Sequence, residues 1–376
     1  MLLSAPLIAL MRKLLLTLIT TALVTGALSV ACTKAAGPPK PDDGDKLIAQ
    51  TQTTSAPAAK TPAPAVEAPS EPDDSARSIR IAVVSDLNGS YGSTHYRDEV
   101  HGAVRWLVDD IRPDAVLSTG DMVAGQKRGL DYEAMWAGFH AAVTRPLARA
   151  GIPFMVTPGN HDASAGAVFM EERITFVEQW KRHRPKVRFV DDAFYPLYYA
   201  FEIGPALFIS LDATVTGPID AAQRRWLRGV LERHRDKKAK VVFGHVPLYP
   251  FSEERKTEIL GDTALEELFA EHDVDLMLSG HHHAYYPGRR DELRLVSMAC
   301  LGSGPRTLVG TDHTSEKSVA VVDISPDGEI VVEAYEASEH RKIERSGLPE
   351  SLGSGGQKIW RDDVERHVNR KGREGR

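Results

Sequence analysis

Cysteine is nearly absent from this chain: its 376 residues hold two, Cys32 and Cys300. That excludes a disulfide framework, and a lone Cys32–Cys300 bridge, which would tie an N-terminal leader to the core, is not expected. A chain of this length folds without such staples, as one large domain or two small ones. Excess positive charge is also lacking. The formal net charge is -6 with 26% charged residues, so nothing points to a nucleic-acid partner. No internal repeat of fixed period is present. Large apolar residues are almost missing between Thr33 and about Ala76, where Pro, Ala, Thr, Ser and Lys dominate. Such a stretch cannot bury enough surface to offset its ordering entropy, so residues 33–77 are expected to form a disordered linker.

Ahead of the linker, Arg12 and Lys13 precede an apolar run from Leu14 to Val30, and the small residues Ser29 and Ala31 lead into Cys32. A basic start, an apolar run and small residues before a cut describe a secretory signal over residues 1–32. Leu28-Ser29-Val30-Ala31-Cys32 resembles the end of a bacterial lipoprotein signal, although a large aliphatic residue is usual where Ser29 stands. The resemblance implies an exported protein held at the periplasmic face of a membrane through lipidated Cys32. The run also suits an uncleaved membrane anchor. Residues 1–10 lie upstream of the basic pair, and translation is expected to start at Met11.

From Ser78 short apolar runs alternate with helical patterns. Strands are expected at 79–84, 114–118, 153–156, 207–211, 240–243, 275–278, 294–298, 319–324 and 330–335. Helices are expected at 99–111, 132–149, 171–182, 221–233 and 263–272. Short strands between helices argue for α/β layering, and Ser325-Pro326-Asp327-Gly328 reads as a hairpin turn, so the sheets should be mixed. The domain is expected to span 78–340. A charged, Gly-rich tail over 341–376 should be solvated, with a short helix possible around 357–368. Residues 163–199 hold a helix and are a candidate lid.

Five polar motifs stand at the C-terminal ends of predicted strands: Ser85-Asp86-Leu87-Asn88, Gly120-Asp121, Gly159-Asn160-His161-Asp162, Gly244-His245 and Gly280-His281-His282-His283. Ligands bind outside the carboxyl ends of strands in open α/β sheets, where loops from distant parts of the chain converge. Taken singly each motif is weak, since a lone Asp after a strand usually caps a helix or forms a turn. In this order, however, over about 79–285, the series resembles the signature of calcineurin-like metallophosphoesterases. That superfamily includes purple-acid-phosphatase-like and cyclic-nucleotide-phosphodiesterase-like branches.

The resemblance implies a four-layer α/β sandwich of two mixed sheets flanked by α-helices, and a centre of two metal ions (Mn, Fe or Zn). Asp86 and His283 would hold the first metal, Asp121 would bridge, and Asn160, His245 and His281 would hold the second. His161 would stand by the substrate as acid or electrostatic stabiliser. The implied activity is hydrolysis of phosphate mono- or diesters, with a small phosphoester as partner. A cyclic-nucleotide-type phosphodiesterase and a non-catalytic binding member remain as alternatives. The donor types agree, because carboxylate, amide and imidazole without thiolate suit these metals. Two ions about 3.5–4 Å apart activate water and neutralise a phosphoryl oxygen together. Asp162 is expected to orient His161 or to cap a helix, and His282 to point away.

Two positions depart from the family pattern. Asn88 stands where the family most often has His. Asp86 and Asn88 are i and i+2 at a strand end, where alternate side chains share a face, so Asn88 is expected to ligate the first metal through its amide oxygen or else to bond only the turn. Ala124 stands where the purple acid phosphatase branch has its Tyr, so a coloured tyrosinate–iron centre is not expected. For the substrate, Tyr249, Tyr285 and Tyr286 are candidate pocket walls and Arg289 and Arg290 candidate phosphate contacts. Ordinary surface residues are the alternative for each.

Overall fold

The computed structural model describes residues 76–364. The leader with Cys32, the linker up to residue 75 and the chain past 364 lie outside the described residues. Along the chain the strands are β1 (Ile79–Val84), β2 (Ala115–Ser118), β3 (Phe154–Val156), β4 (Arg188–Phe194), β5 (Tyr198–Ile203), β6 (Ala206–Ser210), β7 (Ala239–Phe243), β8 (Leu276–Ser279), β9 (Tyr286–Arg290), β10 (Leu293–Ser297), β11 (Ser318–Ile324), β12 (Ile330–Glu336), β13 (Ser351–Leu352) and β14 (Ile359–Arg361). The principal helices are α1 (Asp98–Trp106), α2 (Tyr132–Phe139), α3 (Arg145–Arg149), α4 (Asn160–Ala163), α5 (Met170–Arg182), α6 (Ala221–Arg233) and α7 (Thr263–Glu271). Among the described residues no helix is long and apolar enough to cross a membrane.

The helices form where a capping residue meets an apolar stripe. Asp220 accepts from the backbone N–H of Ala222 and Gln223 to start α6, and Asp262 accepts from Leu265 N–H to start α7, each satisfying donors the helix leaves free. Val100, Ala103 and Val104 of α1 bury one face at helical spacing. The helix then continues as a π-helical turn over Leu107–Ile111, which ends at left-handed Arg112.

Two mixed sheets result, flanked by helices. One has five strands in the order β12-β11-β1-β2-β3 and the other nine, β13-β14-β9-β10-β8-β7-β6-β5-β4. In the first, β1, β2 and β3 are parallel while β11 and β12 are antiparallel; in the second, β6, β7, β8 and β10 are parallel between antiparallel flanks. Side chains join the sheets near the ends of β3 and β6. The Val156 carbonyl accepts from Tyr199 Oη at 2.7 Å, and Thr157 Oγ1 donates to the Leu211 carbonyl at 2.6 Å. The C-terminal ends of β1, β2, β3, β7 and β8 therefore open toward one region.

Two expectations fail. Residues 163–199 do not form a lid: Phe176 and Trp180 of α5 are buried in the core, and the chain runs on into β4 and β5 of the nine-stranded sheet. The segment past Arg341 is not a solvated tail up to Arg361. It supplies β13 and β14, burying Leu352 and Ile359, and Asp362 accepts from Arg294 and Arg345, each at 2.7 Å. Ile359–Arg361, where a short helix was the alternative to a solvated tail, is extended and pairs with Gly288 and Arg289. The pairing needs a glycine, since a Cβ on Gly288 would lie 2.5 Å from Ile359 Cγ2.

Candidate metal centre

Each of the five motifs follows a strand whose rigid pairing fixes where the loop begins. The loops then turn sharply. Asp86, Asp121, His281 and His283 all have left-handed backbones, with φ between 48° and 64°. Non-glycine residues rarely adopt that region, and backbone strain of this kind collects at functional sites. Here it recurs at four candidate ligands, all within four residues of the ends of β1, β2 and β8. Gly120, with φ of 97°, lets β2 close against the second sheet, because a Cβ there would sit 2.7 Å from His245 Nδ1.

Asp86, Asp121 and His245 come together, with one ligand atom from each lying within 4.8 Å of the others. All three are buried. The Asp86 carboxylate is held by one oxygen only: Oδ2 accepts from Ser85 Oγ at 2.5 Å and from His281 N–H at 3.1 Å, and Thr119 backs Ser85 at 2.6 Å. Its other oxygen, Oδ1, lies 3.0 Å from His283 Nε2 yet is buried without a hydrogen-bond partner. Asp121 is arranged likewise, with Oδ1 accepting from His161 N–H at 2.8 Å and Oδ2 lying 3.4 Å from His245 Nε2.

The imidazoles are oriented from behind. His245 Nδ1 donates to the Thr119 carbonyl at 2.8 Å and His283 Nδ1 to the Gly304 carbonyl at 3.0 Å, which leaves each Nε2 facing the site. Asn160 Nδ2 donates to Gln126 Oε1 at 3.1 Å, turning its own Oδ1 to within 2.8 Å of His245 Nε2. Two atoms that normally accept thus meet with nothing between them but a proton or a cation. Burial opposes charge on these histidines, but the carboxylates outweigh it: Asp121 lifts His245 to about 9 and Asp86 lifts His283 to about 10. Against burial, His283 holds Asp86 below its ordinary range, and His245 and His161 do the same for Asp121. An orphaned buried carboxylate oxygen, converging lone pairs and an O/N donor set without thiolate fit a cation site.

The remaining candidates fall around this cluster. His281 lies beside it, its ring centroid 5.0 Å from that of His245. Asn88 is buried at the cleft, where its Oδ1 accepts from Ser303 Oγ at 2.8 Å. The strand alternation expected to aim Asp86 and Asn88 together does not operate, because Asp86 is left-handed. His161, half-buried, donates from Nδ1 to the Gly125 carbonyl at 3.3 Å and packs on the Tyr91 ring at 5.5 Å. Asp162 caps: it accepts from Gly159 N–H at 3.1 Å and Val123 N–H at 2.8 Å. His282 is structural, accepting from Phe251 N–H at 3.0 Å and bonding the Glu258 carbonyl at 3.0 Å.

The cleft over the cluster has a volume of about 450 Å³, with Asn88, Asp121 and His283 in its lining along with His161, Tyr91, Ala124, Arg255 and Arg306. Tyr249, Tyr285, Tyr286, Arg289 and Arg290 do not line it. Tyr249 donates to Glu266 at 2.5 Å under the Arg290 guanidinium, while Tyr285 and Tyr286 are core residues. The residues that reading the sequence missed are Tyr91, Arg255, Arg306 and Glu258. None carries a local signal: Tyr91, Glu258 and Arg306 sit in loops and Arg255 ends a short 3-10 turn, and each gains its place only through the fold.

Residues 79–285, more than half of the chain, match the family model described as calcineurin-like phosphoesterase. Purple acid phosphatase 18 of Arabidopsis thaliana is 30% identical over 176 residues, covering 45% of this chain and 38% of the relative. Acid phosphatase type 7 of Homo sapiens is 29% identical over 194 residues, covering 46% and 40%. The chain thus spans less than half the length of these relatives. Among solved structures, a purple acid phosphatase from yellow lupin (Lupinus luteus) seeds superposes with a TM-score of 0.54 at 16% identity, covering 71% of this chain and 53% of that one, a likeness of fold.

Proposed function

Since the chain belongs to the calcineurin-like phosphoesterase family, we propose that it is a metal-dependent phosphoric ester hydrolase that cleaves phosphate mono- or diesters outside the cytoplasm. The observation that carries this reading is the buried convergence of Asp86, Asp121 and His245 at the strand ends, with Asp86 Oδ1 unpartnered. Asp86, His283 and Asn88 would hold one ion and Asn160, His245 and His281 a second, with Asp121 between them. Bound there, the ions supply Lewis acidity and lower the pKa of water.

The chain's own residues do the rest. In hydrolysis the oxygen of water joins phosphorus and the bond from phosphorus to the ester oxygen breaks, so that oxygen must gain a proton. His161 supplies it. Its Nδ1–H is held by the Gly125 carbonyl, which turns Nε2 toward the cleft, and a proton on Nε2 can pass to the leaving oxygen. Asp121 fixes His161 through its backbone N–H, so the acid and the ligand cluster keep one geometry. Ala124, in the cleft lining, offers no phenolate, so iron bound here should lack the tyrosinate colour of a purple enzyme.

Export and lipidation at Cys32 complete the proposal, supported by the basic, apolar and small-residue order of residues 12–32, with the linker as a tether. Cys32→Ser should abolish fatty-acid labelling. The deciding experiment for the activity counts metals in the purified protein and assays aryl phosphate mono- and diesters with Mn, Fe or Zn. Two bound metals without turnover of either ester would make the chain a binding member of the fold, and no bound metal would remove the reading.

A further inference from the structure

Charge in the cleft is not balanced by the protein. Arg306 is anchored by its backbone beside a candidate ligand: its N–H donates to the His283 carbonyl at 3.1 Å, and its carbonyl accepts from Ser315 N–H at 2.9 Å. The residue lines the cleft. Among the described residues no acceptor bonds it, and its Nε is buried without a partner. The nearby carboxylates make their hydrogen bonds with other groups, and the free oxygen of Asp86 faces the metal cluster. Asp86 is held by Ser85 and His281 N–H, Glu254 by Ser252 Oγ at 2.8 Å and Thr307 N–H at 3.3 Å, and Glu258 by His281 and Arg255. Arg255, the other cation in the lining, has its own Nε buried and unpartnered. Two guanidinium groups in one cleft repel, and desolvating donors without acceptors is costly. The repulsion falls when an anion lies between them.

A phosphate over the metal cluster does not use up this charge. The carboxylates of Asp86 and Asp121, a diester monoanion and the hydroxide that the ions would draw from water together match two divalent cations, which leaves Arg306 over. We propose that Arg306, with Arg255 beside it, binds a second anionic group on the substrate, so that the cleft prefers phosphoesters carrying a further phosphate or carboxylate. The proposal rests on the reading of the centre as a phosphoesterase site. Guanidinium is suited to this task because its planar fork holds carboxylate or phosphate through paired hydrogen bonds.

The test uses two probes that cannot be hydrolysed, methylphosphonate with one anionic group and phosphonoacetate with two. Binding of each to the Mn-loaded full chain is measured by calorimetry for the parent protein, Arg306→Gln and Arg306→Lys. Thermal melts report whether the variants fold, and Arg306→Lys serves if the glutamine variant does not. The parent should prefer phosphonoacetate. Arg306→Gln should weaken phosphonoacetate by about tenfold or more, as loss of a charged fork predicts, and methylphosphonate by less than about threefold. Arg306→Lys should fall between. Equal weakening of both probes would place Arg306 on the phosphate at the metal cluster and overturn the proposal, as would no weakening of either or no preference in the parent. An Arg306-dependent preference in a protein that hydrolyses no ester would sink the hydrolase reading and leave this one standing. Hydrolysis without the preference would do the reverse.

Discussion

Glu258 Oε2 lies 2.9 Å from His281 Nε2, and this contact decides which nitrogen of His281 remains for a cation. The His281 hydrogen bond and the Arg255 charge hold Glu258 down at about 2, while burial pushes His281 down to about 4. At neutral pH His281 is therefore a neutral imidazole that donates from Nε2 to a carboxylate and keeps a lone pair on Nδ1. Carboxylates behind metal-bound histidines commonly fix tautomer and ring orientation in this way. Glu258→Ala should cut affinity for one of the two metals by about 10–100-fold and leave the other unchanged. Metal titration followed by two-site analysis reads this directly, and unchanged binding at both sites would make the contact incidental.

Asp121 and His161 share a hydrogen bond, but their substitutions should separate. Asp121 sits between the two sets of ligands, so Asp121→Ala should damage both sites and cost more activity than any other ligand change. His161→Ala should keep the metal content and lower kcat by about 100-fold or more, the usual contribution of a placed general acid. Metal counts beside steady-state kinetics distinguish the two. Loss of metal in His161→Ala would move His161 from the substrate to the ligand set.

The sheets and the cluster of Asp86, Asp121 and His245 were legible because their signals are local. Apolar runs between turn residues marked β1, β7 and β8. The motifs after the strands named the residues that now converge. What stayed hidden depends on the fold. Strand β4 alternates poorly and shifts register against β5 between Phe189 and Asp191, so no period-two pattern marks it. Strand β9 carries Pro287 and Gly288, which read as a break; the glycine is there because Ile359 of β14 crosses it. Strands β13 and β14 each bury a single aliphatic residue in a charged, Gly-rich segment that resembles a tail. Arg255, Glu258 and Arg306 look like surface charges until the loops after β7 and β10 meet. The left-handed backbones of Asp86 and His283 were equally unreadable, and they displace the simple alternation that would have paired Asp86 with Asn88.

Asn88 keeps one lone pair of Oδ1 beyond the bond from Ser303 Oγ, and it is placed in the cleft with His283. An amide oxygen is a harder donor than an imidazole nitrogen, so ligation by Asn88 should tilt the first site toward Mn or Fe and away from Zn. Asn88→Ala should then lose about one metal per chain, and Asn88→His should keep both while shifting preference toward Zn. Metal content and activity with Mn and with Zn are the readouts. Two full metals and an unchanged preference in the alanine variant would leave Asn88 as an anchor for Ser303 alone.

The same atoms should exchange protons for metal. In protein stripped by a chelator, His245 and His283 are lifted to about 9 and about 10 by Asp121 and Asp86, from an ordinary value near 6.5 in the unfolded chain. Their pairing with the carboxylates stabilises the stripped fold fully below about pH 6.5, and the contribution disappears as the pH rises through 9 and 10. Thermal melts of the stripped protein should therefore fall between pH 6.5 and 10, a loss that metal-loaded protein, which needs no such protons, should not share. Filling both sites at pH 7 requires neutral imidazoles, so metal uptake should release about two protons per chain and strengthen as the pH rises. Calorimetry in two buffers of different ionisation enthalpy counts those protons. Uptake without proton release would mean that both histidines are already neutral in the stripped protein, and the close approach of His283 Nε2 to Asp86 Oδ1 would then need another cause.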